Sequence, residues 1–150
     1  RQSGPLMART PAFLKWRFGN APLWPATVCR IDRKGQFLGY VVTRKVELGD
    51  LNHLVLMDFI LDPDTPLIVQ VALRLWLIRK AIASKADVLF TMVNSFSTIA
   101  RKCVGFPLVS IPNRLLPHIT PIFVRVRSND DKKLEADRSI HFTLADLDYF

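Results

Sequence analysis

Cysteine is scarce in this chain: Cys29 and Cys103 are the only two among 150 residues. Neither stands at a metal-ligand or redox spacing. Both are read as reduced, buried thiols of a cytoplasmic protein, the alternative being one disulfide between them. Glycine is scarcer still in the middle of the sequence, with none between Gly49 and Gly105. No Gly-x-Ser-x-Gly elbow, Walker loop or dinucleotide fingerprint occurs. The histidines, His53, His118 and His141, are too far apart to share a metal, and no metal is expected. No apolar run reaches the ~20 residues of a membrane span, because Gln70 and Arg74 interrupt the longest central stretch. The opening Arg1-Gln2-Ser3-Gly4-Pro5 lacks the apolar segment of a signal peptide and an initiator methionine. The chain is therefore expected to be the C-terminal part of a longer protein.

What is abundant is apolar surface and positive charge. Hydrophobic residues make up 49% of the chain and the net charge is +8. Six of the 13 acids lie beyond Ser128, so the first 129 residues carry 18 bases against 7 acids. Such an excess favours an anionic partner: a phosphorylated cofactor, nucleic acid or anionic lipid. A solvated basic face explains it equally.

The order of elements is legible from pattern. Pro11 to Phe18 has helical spacing and ends at Gly19-Asn20-Ala21-Pro22. Its Trp16 and Arg17 are either a ligand clamp or part of a packing helix. Ala26 to Ile31 and Phe37 to Val46 read as strands joined by a hairpin turn at Asp32-Arg33-Lys34-Gly35. Gly39, inside the second strand, suggests a bulge or a close backbone approach. After a turn at Leu48-Gly49-Asp50, Leu54 to Leu61 is a continuous apolar run, suited to a strand covered on both faces and returning antiparallel beside the hairpin. Thr65 is placed as the cap of a helix that starts at Pro66 and runs to about Ser84. That helix, residues 66–84, is apolar around nearly its whole circumference, so a partner should cover it: an N-terminal half of the protein or a second copy. Asp87 to Val93 is a strand parallel to Leu54–Leu61, and Asn94 or Ser95 caps a helix that stops at Gly105. Two more strands, Phe106 to Ile111 and Pro121 to Arg127, precede a charged loop and an acidic tail. A single domain results: a helix and linker over residues 1–25, a core over 26–127, and the loop and tail over 128–150.

This order resembles the core of the GNAT acyltransferase superfamily. Ser95 to Phe106, ending Arg101-Lys102-Cys103-Val104-Gly105-Phe106, is similar to the family's closing helix. Phe37-Leu38-Gly39-Tyr40-Val41-Val42 is similar to the strand before its cofactor strand. FLKWRF near the start and FTLADLDYF at the end are similar to flanks of a bacterial subgroup of GNAT-like proteins. The resemblance implies an α/β fold with a mixed sheet, antiparallel except for a central parallel pair, flanked by helices. It implies transfer of an acyl group from acetyl-CoA or another acyl-CoA to an amine or hydroxyl of an unidentified acceptor. The pantetheine arm would lie where Leu54–Leu61 and Asp87–Val93 splay apart. Phe59, Leu61, Thr65, Asn94 and Ser95 would then hold the cofactor. Asp58, the one charge inside an apolar strand, would be the general base, and Tyr40 the general acid for the leaving thiolate. The structural alternatives are an Asp58 paired with a core Arg, Tyr or backbone donor, a Tyr40 that is a strand aromatic, and an Asn94 that is only a cap.

The chain departs from the family at the pyrophosphate loop. The corresponding turn, Leu61-Asp62-Pro63-Asp64-Thr65-Pro66, has no glycine, loses two N–H donors to proline and carries two carboxylates where an anion would sit. Two rival readings follow. One is a non-catalytic GNAT-like module that binds a partner. The other is a nucleic-acid or anionic-surface binder using Arg30, Arg33, Lys34, Arg44, Lys45, Arg125 and Arg127.

Overall fold

A computed structural model describes residues 9–19 and 25–91. Thr10 opens the first helix, α1 (Pro11–Leu14): its hydroxyl accepts the Phe13 N–H at 3.1 Å, and Pro11 stands at the first helical position. The helix widens into a π turn over Lys15–Gly19. Four strands follow as β1 (Ala26–Arg33), β2 (Gln36–Leu48), β3 (Leu51–Leu61) and β4 (Val88–Thr91), with α2 (Leu67–Ala83) between β3 and β4. They form one sheet in sequence order, antiparallel from β1 to β3 and parallel between β3 and β4. This is a small α/β domain with a mixed sheet flanked by helices. The expected hairpin, the antiparallel return and the parallel partner are all present.

Local sequence explains the connections. Lys34 and Gly35 both have positive φ, 50° and 82°, as a tight hairpin turn requires. Gly39 is a bulge neighbour and a close approach at once. The β1–β2 register slips at Ile31/Asp32, and a Cβ on Gly39 would lie 2.0 Å from the Ile60 carbonyl oxygen. Asp62 builds the turn after β3, its side chain accepting the Asp64 N–H at 2.8 Å while its carbonyl accepts the Thr65 N–H at 2.9 Å. Asp87 ties the start of β4 to β3, exchanging bonds of 2.8 Å with the Asn52 backbone in both directions.

Thr65 is not the helix cap. The capping position falls on Pro66, which is extended and offers no side-chain acceptor, and α2 begins at Leu67. Thr65 is thus one residue too early to reach the first helical N–H groups. It is buried, and Gln70 instead bonds the Thr65 carbonyl at 2.8 Å.

The sheet is covered on both faces. On one, Val41, Leu56, Phe59 and Leu61 pack against Leu73 and Leu77 of α2. On the other, Tyr40, Val42, Val55 and Met57 pack against Phe18 and Leu14 of the N-terminal helix. Trp16, expected near that core, is 64% exposed and tilts against Phe13. It stands on the side of the helix away from Leu14 and Phe18, which lie four residues apart on one face.

Candidate functional site

Asp58 reaches its position through a bulge in β3. Val42 of β2 pairs with Asp58, and the next residue, Thr43, pairs with Leu56. Met57 is the extra residue. A bulge puts two successive side chains on one face of a strand. Met57 joins the cluster under α1, and Asp58 faces the same way, toward Tyr40. Without the extra residue the carboxylate would follow the alternation of Leu56 into the apolar layer beneath α2.

The result is a buried polar triad. The Tyr40 hydroxyl donates to Asp58 Oδ2 at 2.8 Å, and Arg9 Nε donates to the same oxygen at 3.0 Å. Asp58 has no exposed surface, and the Arg9 side chain is 4% exposed. The Arg9 guanidinium also lies 5.2 Å from the centre of the Phe13 ring. This arrangement fastens the N-terminal helix to the sheet. Burial, and then the Asp58 carboxylate that accepts its proton, push the Tyr40 phenol above the ordinary tyrosine range. Tyr40 is therefore a held donor rather than a free one, and serving as an acid to a thiolate would require it to release Asp58.

The raised phenol has a consequence for stability. A group whose folded pKa exceeds its unfolded value stabilises fully below the unfolded value and loses that contribution as pH rises. Unfolded tyrosine ionises near ~10, so above that pH the chain should lose about 1.4 kcal/mol per pH unit through Tyr40 alone. In Tyr40→Phe the slope of stability against pH above 10 should be shallower by that amount, measured by urea unfolding. Equal slopes in the two proteins would show that Tyr40 does not carry it.

The residues assigned to catalysis and to the cofactor divide. Asp58 and Tyr40 are brought together on the face under α1. The Phe59 and Leu61 side chains lie on the other face, in the core beneath α2. Their backbone is informative. The Asp62 N–H bonds the Leu38 carbonyl at 2.7 Å. By period-two alternation the N–H groups of Ile60 and Asp58 also face β2, and those of Phe59 and Leu61 face the β4 side. The described pairing of β3 with β4 runs from His53↔Val88 to Leu56↔Thr91. There the Thr91 hydroxyl donates to the Leu56 carbonyl at 2.9 Å, one residue before the bulge. Met92, Val93, Asn94, Ser95 and the later expected elements lie outside the described residues.

The turn before α2 carries mixed signals for an anion. The Leu67 and Ile68 N–H groups open the helix and have no partner within it. The Thr65 hydroxyl is buried with no hydrogen-bond partner among the described residues. Against this, the Asp62 carboxylate already occupies the Asp64 N–H.

Among the described residues no group of three His, Cys, Asp or Glu side chains could hold a metal ion, and no helix is long and apolar enough to cross a membrane. Two of the basic residues considered for an anionic surface are otherwise engaged. Arg44 is buried in β2, and burial lowers its pKa. Arg30 is engaged with Asp32 at 2.9 Å and lies over the Phe37 ring.

Arg9 was not singled out from sequence. The only signal for it was Asp58 itself, a lone charge in an apolar strand that needs a counter-ion. Nothing local distinguishes Arg9 from the other bases, because the contact spans 49 residues. Comparison of the chain with protein-family models, with curated proteins and with solved structures found no match.

Proposed function

We propose that this chain is the cofactor-binding core of a GNAT-type acyltransferase, which moves an acyl group from acetyl-CoA or a related acyl-CoA to an amine or hydroxyl. The observation that carries this reading is the β3 backbone. The strand is bulged at Met57, immediately after the last described pair with β4, and beyond the bulge the Leu61 N–H faces the β4 side. An extended pantetheine arm, with its own amides, would lie along this side of β3. The acceptor nitrogen or oxygen would attack the thioester carbonyl, the C–S bond would break, and the thiolate would leave. The acceptor's proton would pass to a base and the thiolate would take one up. Asp58 of β3 and Tyr40 of the neighbouring β2 would be the acid–base pair.

A second reading, a GNAT-like module that binds a partner without catalysis, is favoured by the triad. Asp58 and Tyr40 hold each other, and Arg9 saturates the same carboxylate oxygen. The glycine-free turn favours it too.

Acetyl-CoA decides between them. A ligand at about 100 times its Kd stabilises by roughly 2.7 kcal/mol, which for a chain of this size raises the melting temperature by about 5–10 °C. That rise is expected with acetyl-CoA. No shift at millimolar acetyl-CoA would favour the non-catalytic module.

A further inference from the structure

α2 has a second apolar face. Leu73 and Leu77 are buried against the sheet, yet Leu67, Ile68, Leu75 and Ile82 are 51–71% exposed and Val71 is 38% exposed. Leu75 stands two positions from each buried leucine, which places it on the opposite side of the helix. Ile68, Val71, Leu75, Ile78 and Ile82 succeed one another at spacings of three and four residues, the pattern of a helix–helix seam.

We infer that this seam is a homodimer contact in which α2 packs antiparallel on α2 of a second copy, with Leu75 on the two-fold axis. Two independent features select a second copy. The ends of the seam match on reversal: in Leu67–Ala83 the midpoint is Leu75, and Ile68 lies as far before it as Ile82 lies after it. A two-fold interface sets each patch against itself reversed, so Ile68 meets Ile82 of the other copy while Val71 and Ile78 interdigitate. The charges are also arranged for reversal. Between positions 62 and 85 the acids, Asp62 and Asp64, precede the helix, while of the bases only the half-buried Arg74 lies mid-helix and Arg79, Lys80 and Lys85 lie at or beyond its last turns. Antiparallel packing brings Lys85 of one copy to Asp64 of the other, twice. Parallel packing would place like charges together. The same arrangement opposes the two helix dipoles favourably.

Sedimentation equilibrium of the 150-residue chain tests the inference. The chain should dimerise with a micromolar Kd, as suits a contact of one helix pair. Leu75→Arg, which puts two like charges on the axis, should weaken dimerisation about 100-fold with an unchanged circular dichroism spectrum. Asp64→Lys and Lys85→Asp should each weaken it about fivefold, and the double variant should restore it. If Leu75→Arg fails to fold, cross-linking in a Cys29→Ser, Cys103→Ser background replaces it. Ile68→Cys chains should form a disulfide with Ile82→Cys chains and not with one another. A monomer at millimolar concentration, a dimer indifferent to Leu75→Arg, or cross-linking of Ile68→Cys chains among themselves would overturn the inference. The first of these would assign the face to residues beyond 91 or to another protein.

Discussion

Removing the Asp58 carboxylate should cost this domain more stability than any other single change to its polar groups. Asp58→Ala leaves the Arg9 guanidinium and the Tyr40 hydroxyl in a site that excludes water, facing a cavity where both found their acceptor. Breaking a buried ion pair by deleting one member costs about 3–5 kcal/mol. Arg9 belongs to the segment just before α1, which can move outward, so the cost should appear largely as release of the N-terminal helix from the sheet. Urea unfolding should register the loss, and proteolysis near Trp16 should accelerate. The Tyr40→Phe variant should lose less, about 1.5–3 kcal/mol, the worth of a hydrogen bond to a charged group. In a double-mutant cycle Asp58→Ala and Tyr40→Phe should be strongly non-additive, because they share one bond. Additive losses, or an Asp58→Ala protein as stable as the parent, would contradict the triad.

Gly39→Ala is the second large effect. Gly39 has a φ of 152°, and an added methyl would stand 2.0 Å from the Ile60 carbonyl oxygen, which is backbone and cannot rotate away. Side chains rarely adopt that φ, and such strain costs about 1–3 kcal/mol before any clash is counted. The strand would have to part from β3 at the end where Leu61 and Asp62 are held. A loss of about 3 kcal/mol or more is expected, lowering the melting temperature by roughly 10 °C. Gly35→Ala supplies the control. Gly35 also has positive φ, but nothing lies within 4 Å of its missing Cβ, so about 1 kcal/mol is expected there. Equal losses at the two glycines would show that the close approach to Ile60 is not real.

Much of the fold could be read from local chemistry, and what could not be read has separate causes. The Lys34-Gly35 turn, the continuous run Leu54–Leu61 and the largely apolar α2 announce themselves, because their signals lie within a few residues of one another. Gly39 announced both of its roles for the same reason. The bulge at Met57 is silent in sequence: an apolar run covered on both faces has no alternation for an extra residue to break. The site depends on that silent residue, since it is what turns Asp58 toward Tyr40. Arg9 is silent because its partner lies far along the chain. The placement of Thr65 failed by one residue. Proline tolerates the capping position as well as the first helical one, and the sequence does not distinguish them.

The proposed activity rests on the β4-facing side of β3 beyond Leu56 being where an acyl thioester lies. Amide hydrogen exchange of Leu61, with and without acetyl-CoA, reads that side directly, with the Ile60 amide, which faces β2, as the internal reference. If the thioester binds there, the Leu61 amide should become at least about tenfold more protected by saturating acetyl-CoA while Ile60 changes little. Unchanged exchange at Leu61 under acetyl-CoA that is bound, or protection confined to residues elsewhere, would contradict it.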